Sequence, residues 1–322
     1  MDTEKKGNES RRLRVGVIGA GYVAQNNYLP ILARTDAIEF AGIMAKNYGN
    51  ALRAARQYGA EKAVESIEEL VDLGLDCAFV LSPKQVHARQ VSFLLSHGVD
   101  TYCEKPMATT LKDCEMVCRL QEKTGLKLMI GFNRRYAPVI TAAKRALDGG
   151  CPDVLIAQKN RPQTEYHATL ENAVHMVDLM RYFCGEAAEV HALSRYEDRD
   201  YETFTTAQIR FENGSAGILV ADRSAGQWEE TLEMHGGNRT IIVRMPESIT
   251  VVDNEQSHTT ELTPLAMGWA KSEDKLGFTA AVGHFFDCIR ENKTPLTCPQ
   301  DAYKTHVLLN QVLRSAGLPE ME

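Results

Sequence analysis

The chain has 322 residues, of which 44% are hydrophobic and 25% charged, with 23 glycines and 11 prolines; this length fits about two domains, and the composition excludes disordered, collagen-like and low-complexity classes. Its 36 basic residues stand against 43 acidic ones, a net charge of −7, which argues against a nucleic-acid partner held by a basic surface. The eight cysteines form no C-x-x-C pair and read as small buried side chains in a reducing compartment.

Residues 1–12 (MDTEKKGNESRR) are charged and carry no apolar core, so they read as a frayed tail and not as a signal peptide. No apolar window is long enough to span a bilayer, so no membrane partner and a cytoplasmic location are expected. The run at 13–18 (LRVGVI) predicts a strand ending in glycines, and 22–34 predicts a helix interrupted at Pro30. Apolar runs at 38–44, 76–81, 99–103 and 126–132 predict four more strands. Helices are expected between them at 50–58, 85–96 and 111–123, the first and last stopped by Gly59 and Gly125. Strands buried on both faces read as continuous apolar runs. The expected fold class is α/β, with a doubly wound parallel sheet, the Rossmann arrangement, over 13–132.

The remainder, 133–322, has another rhythm. Helices are expected at 137–147 and 174–183, then strands at 205–211, 216–221, 230–235, 240–244 and 248–252. Asn213-Gly214 and Gly236-Gly237-Asn238 are hairpin punctuation, which predicts a largely antiparallel sheet. Helical periodicity returns at 278–291 and 300–315.

Gly19-Ala20-Gly21-Tyr22-Val23-Ala24 is G-x-G-x-x-A, directly after the first strand and opening a helix. Gly19 permits the tight turn, Gly21 lets the backbone approach a pyrophosphate, and Ala24 permits close helix–strand packing. The helix N-terminus then offers unpaired N–H groups to the phosphates. NAD binders place an acidic residue at the end of the second strand for the ribose 2′-OH. Here that place reads Ala45-Lys46-Asn47. Lys46 is suited to a 2′-phosphate, so NADP is preferred as cofactor with NAD as the alternative; the bland reading of Lys46 is a solvated surface lysine.

Together with Glu104-Lys105-Pro106 and the run Gly131-Phe132-Asn133-Arg134-Arg135-Tyr136, this turn resembles the Gfo/Idh/MocA oxidoreductases. The latter run followed by Ala137-Pro138, the segment His175-Met176-Val177-Asp178 and Gly268-Trp269 are most similar to the branch of the virulence-factor MviM-like proteins. The resemblance spans about residues 13–318. It implies a Rossmann domain, a C-terminal α/β domain with an open, mostly antiparallel sheet, and NAD(P)-dependent hydride transfer on a small sugar-like substrate. It also implies a homodimer or homotetramer, no metal, and a last helix (300–315) that packs back on the first domain.

Hydride transfer needs a positioned cofactor, a polarised oxygen and a proton acceptor or donor. Lys105 follows a strand, where ligands of open α/β sheets bind, and its ammonium is suited to a developing alkoxide. The resemblance gives it that role and places Glu104 near the nicotinamide ribose. Ser82, Pro83 and His87 fall in the family's loop beside the cofactor. His175, whose side-chain type titrates near neutrality, is the expected proton relay. Glu171, Glu at a position where the family often carries Asp, shares its helix face if the stretch is helical. The family's preceding Gly-Gly is replaced by Ala168-Thr169-Leu170, and these departures raise the alternative of a non-catalytic NAD(P)-binding sensor. Arg134 and Arg135 are placed to reach cofactor or substrate, with one of them structural. Arg161 and His167 flank the loop where substrate contacts are expected, and Trp269 reads equally as a platform for a sugar face or as core.

Overall fold

The computed structural model describes residues 11–162, 167–196 and 201–321. Of the expected tail, residues 1–10 lie outside the described residues, and so do residues 163–166 of the expected substrate loop. The chain divides into two units. The first takes Met1–Phe132 and Phe278–Tyr303, and the second takes Asn133–Gly277 and Lys304–Met321.

The first unit begins with β1 (Leu13–Ile18), a π-helical turn (Ala24–Tyr28) and α1 (Leu29–Leu32). There follow β2 (Ile38–Met44), α2 (Tyr48–Tyr58), β3 (Lys62–Val64), α3 (Ile67–Val71) and β4 (Cys77–Val80). It continues with α4 (His87–Ser96), β5 (Asp100–Glu104), α5 (Leu111–Thr124) and β6 (Leu128–Gly131). All strand pairs are parallel, in the order β3-β2-β1-β4-β5-β6, the Rossmann order with its switch point between β1 and β4. The helix ends follow from local chemistry. Asn47, Ser66 and Thr110 cap α2, α3 and α5 by accepting from backbone amides, and Gly59 and Gly125 stop α2 and α5 in the left-handed region. The predicted interruption at Pro30 takes the form of the wide turn before it. Pro30 has no N–H for the carbonyl four residues back, and the Leu29 N–H instead reaches the Ala24 carbonyl, five residues back.

The second unit contains α6 (Pro138–Ala146), β7 (Val154–Asn160), a second π-helical turn (Ala168–Ala173) and α7 (Val174–Cys184). The strands β8 (Ala187–Tyr196), β9 (Glu202–Phe211), β10 (Ala216–Asp222) and β11 (Glu229–Gly236) follow. Next come β12 (Arg239–Met245), β13 (Ser248–Asp253), β14 (Gln256–Glu261) and α8 (Ser272–Lys275). The sheet order is β14-β13-β12-β11-β7-β10-β9-β8, antiparallel except for the β7–β10 pair. Helices cover one face. A Cβ at Gly217 would stand 2.5 Å from the end of Met180, so this glycine lets α7 lie close against β10. Leu193 (73% exposed) and Ile218 (38%) mark the other, open face.

Beyond Gly277 the chain returns to the first unit as α9 (Phe278–Arg290), and α10 (Pro299–Ser315) is divided between the units at Tyr303. The expected second domain of 133–322 is thus interrupted by residues 278–303. The physical cause is aromatic. Phe278 lies edge-on to Tyr28 at 5.3 Å, and Phe285 lies edge-on to Phe79 and Tyr102 at 5.7 Å. Thr297 closes the edge of β6, exchanging backbone and side-chain hydrogen bonds with Ile130. Among the described residues no helix is long and apolar enough to cross a membrane.

Candidate active site

In the first unit a cleft of about 1020 Å³ opens at the C-terminal ends of β1, β2 and β4. It is lined by Gly19, Gly21, Tyr22 and Val23, by Ala45, Lys46 and Asn47, and by Ser82 and Pro83. Gly19 has φ of 110°, its N–H bonds the Met44 carbonyl, and an added Cβ would lie 2.7 Å from the Leu81 carbonyl. Gly21 differs. An added Cβ there meets no atom within 4 Å, so what it would fill is the cleft itself. Ala24, the first residue of the π-helical turn, is fully buried. This cradle of small residues at a helix start fits a dinucleotide pyrophosphate. The two glycines therefore separate in a test. Gly19→Ala is expected to cost at least about 1–3 kcal/mol of stability through its backbone, read as a urea midpoint. Gly21→Ala is expected to leave that midpoint in place and to weaken dinucleotide binding in a fluorescence titration.

At the rim, Asn47 spends its side chain on capping α2, accepting from the Asn50 amide at 3.2 Å. Lys46 is exposed and makes no ion pair among the described residues. Ser82 donates to Gln90 at 2.5 Å.

Glu104 ends β5 and is buried. Its Oε1 accepts from the Tyr28 hydroxyl at 2.5 Å and its Oε2 from the Lys105 backbone amide at 3.0 Å. Burial pushes the Glu104 carboxyl up, against the opposing pull of the Lys105 ammonium. Lys105 follows directly, half-buried, and the Lys105–Pro106 bond is cis. His87, expected at the cofactor, is 1% exposed and does not line the cleft. Its ring nitrogens instead face the carbonyls of Pro106 and Ser82, each at 2.8 Å, so it ties the loop after β4 to the loop after β5.

In the second unit the π-helical turn carries Glu171 and runs into α7, which carries His175 and Asp178. Three contacts seat the turn on the sheet. The Thr169 amide donates to Glu202 at 2.8 Å, the Thr169 and Thr205 hydroxyls pair at 2.6 Å, and Asn172 donates to the Lys159 carbonyl at 2.9 Å. Glu171 is left half-buried and His175 buried. Asp178 accepts two bonds from Arg135 at 2.6 and 2.8 Å and one from Thr305 at 2.9 Å, which makes it an anchor of α7. π-Helical turns are rare and concentrate at functional positions; among the described residues one follows the glycine turn and one lies at Glu171.

Arg134, expected at the cofactor, is buried in a bidentate pair with Glu230 at 2.8 and 3.0 Å. Glu230 also accepts from Lys159, itself 1% exposed. Burial opposes the Glu230 charge, but Arg134 and Lys159 outweigh it and hold the carboxyl far below the usual range. Burial pushes Lys159 strongly down. Both arginines of the N-R-R-Y run are therefore structural, where only one was expected to be. Arg161, at the end of β7, is held by backbone bonds to Asp222 and Ala225. Trp269 is 70% exposed, which removes the reading of it as core. Lys159, Glu230 and Glu202 had no signal in local sequence, because each is defined by a partner on a distant strand.

A doubly wound sheet with a glycine cradle at its switch point, and a lysine at the C-terminal edge of the same sheet, defines a dinucleotide-dependent oxidoreductase. The chain belongs to the Gfo/Idh/MocA family: the model of the oxidoreductase family's NAD-binding Rossmann fold matches residues 13–132, and that of the family's C-terminal domain matches residues 155–242. It is 27% identical over 315 residues to the YceM protein of Salmonella typhimurium, covering 95% of this chain and 99% of that one. It is 23% identical over 320 residues to the scyllo-inositol 2-dehydrogenase (NAD(+)) of Bacillus subtilis, covering 90% of each. A crystal structure of a dehydrogenase (MviM) from Clostridium difficile superposes with a TM-score of 0.86 at 23% identity, over 95% of this chain and 100% of that one, and so shares its fold.

Proposed function

We propose that the protein transfers a hydride between a nicotinamide dinucleotide, NADP in preference to NAD, and a sugar-like polyol or keto-sugar. The observation that carries this reading is the position of Lys105, one residue beyond β5 on the edge of the sheet where the glycine cradle opens. When bound, the nicotinamide ring supplies the hydride acceptor or donor. Gly19, Gly21 and the helix start hold the pyrophosphate, and Glu104 stands at the nicotinamide ribose. The Lys105 ammonium polarises the substrate oxygen and stabilises it as charge develops. His175 takes up or returns the hydroxyl proton, with Glu171 beside it on the turn that leads into α7. Arg161 and His167 contact the substrate. The relation to an inositol dehydrogenase supports a polyol, and the open sheet face with Leu193 and Ile218 supports a homo-oligomer.

The test is nicotinamide absorbance with purified protein across a panel of inositols, pentoses and hexoses and their keto forms. Dinucleotide binding without turnover over the whole panel would put the sensor in its place. For cofactor choice, Lys46→Asp is expected to exchange a cation for a carboxylate at the 2′ position. NADP affinity should fall by roughly tenfold or more, about 1.4 kcal/mol, while NAD affinity holds or improves. Equal loss for both cofactors would remove Lys46 from the 2′-phosphate.

A further inference from the structure

His167 immediately precedes the π-helical turn and lies at the sheet end where β9 starts and β10 finishes. Its Nδ1 is 3.0 Å from Oε2 of Glu202. The Glu202 side chain is only 2% exposed, and its other oxygen accepts from the Thr169 amide. The Tyr201 ring meets the imidazole in an edge-type contact with centroids 5.1 Å apart, and the Arg223 guanidinium lies over the Tyr201 ring, 5.7 Å from its centroid. Arg223 also donates to the Glu202 and Tyr201 carbonyls, fixing the start of β9. The ring is therefore held on two sides. Its second nitrogen, Nε2, bonds no described residue, and the side chain is 36% exposed.

An ionised carboxylate only accepts hydrogen bonds, and an amide N–H only donates. With Thr169 on one oxygen, the hydrogen between Glu202 and His167 has to sit on Nδ1. A neutral imidazole carries one N–H, so Nε2 is left with its lone pair facing outward. We propose that Glu202 is a positioning residue that fixes His167 in the Nδ1–H form, so that Nε2 presents an accessible acceptor to a substrate hydroxyl group. This rests on the reading of that sheet end as the substrate side. It makes His167 select for hydroxyl donors, a demand distinct from proton relay at His175.

Glu202→Gln tests the idea, because glutamine nearly preserves shape and reverses one hydrogen bond. The new carbonyl must keep accepting from the Thr169 amide, so the new NH2 donates to Nδ1 and the ring hydrogen moves to Nε2. The measurement is the ring-nitrogen NMR spectrum at about pH 8.5, two units above the ordinary histidine value, with the His167 signals assigned by their loss in His167→Gln. The wild type should show Nδ1–H and a bare Nε2, and Glu202→Gln should show the reverse. Diethyl pyrocarbonate, which acylates a bare imidazole nitrogen, should modify His167 in the wild type and lose that reaction in the variant. An Nε2–H form in the wild type, a doubly protonated ring at that pH, a tautomer unchanged in Glu202→Gln, or a wild-type His167 protected from the reagent would each overturn the proposal. If Glu202→Gln fails to fold, the wild-type tautomer and reactivity still decide it. Neither readout requires turnover, so failure of the polyol assay and failure of this proposal are separable.

Discussion

Lys105→Ala is expected to lower kcat by roughly 10²–10³-fold, the effect of removing one preorganised group from a developing oxyanion. The loss is expected in kcat far more than in folding. The Lys105 backbone amide bonds Glu104, and the substitution leaves that contact in place; the side chain beyond it is half-buried. Dinucleotide titration should therefore show near-normal binding beside the lost absorbance change. Lys105→Arg should recover little, since a planar guanidinium does not reproduce a compact ammonium. Full turnover in Lys105→Ala would remove this residue from the mechanism.

Glu230→Ala should give the largest loss of stability. Arg134 and Lys159 are both buried against this one carboxylate. Its removal leaves the buried Arg134 guanidinium with no counter-charge and Lys159, already pushed down by burial, without its acceptor, which costs about 3–5 kcal/mol when a buried pair is broken from one side. Urea unfolding at neutral pH would read this as a shifted midpoint, and a shift of less than about 1 kcal/mol would mean that the cluster relaxes into solvent. Acid supplies the second arm. The Glu230 carboxyl is depressed in the folded chain, so its stabilisation is complete above the unfolded carboxylate value, about 4.3, and is lost as pH falls below that toward the depressed value. Glu230→Gln should accordingly lose less stability between about pH 5 and 2 than the wild type does.

The same cluster marks where local sequence stops being informative. The strands β1, β2, β4, β5 and β6 are legible because both of their faces are apolar, and the glycine turn because its chemistry is local. Strand β7 is not legible in this way. Its run Val154-Leu155-Ile156-Ala157 is short, and Gln158-Lys159-Asn160 reads as surface. Lys159 is inside only because Glu230, 71 residues away in sequence, is there to meet it. Arg134 reads as a cofactor contact for the same reason, since nothing beside it announces Glu230. The short pair β3 and α3 was missed because three residues of edge strand and five of helix carry almost no periodicity. The candidate site divides in the same way. Lys105 and the glycines announce themselves by position after a strand, whereas Glu202 is recognisable only once β9 has brought it under His167.

The return of Phe278–Tyr303 to the first unit orders events during synthesis. Once residue 132 has emerged from the ribosome, all six strands of the parallel sheet are free, yet the aromatic side chains Phe79 and Tyr102 still lack Phe285, and the β6 edge still lacks Thr297. Neither unit can therefore finish before nearly the whole chain is made, the first needing residues up to Tyr303 and the second residues up to Met321. Through the whole translation of β7 to β14 it holds an apolar surface awaiting its own later segment, which makes the nascent half-sheet the stage at which this chain most needs shelter from aggregation.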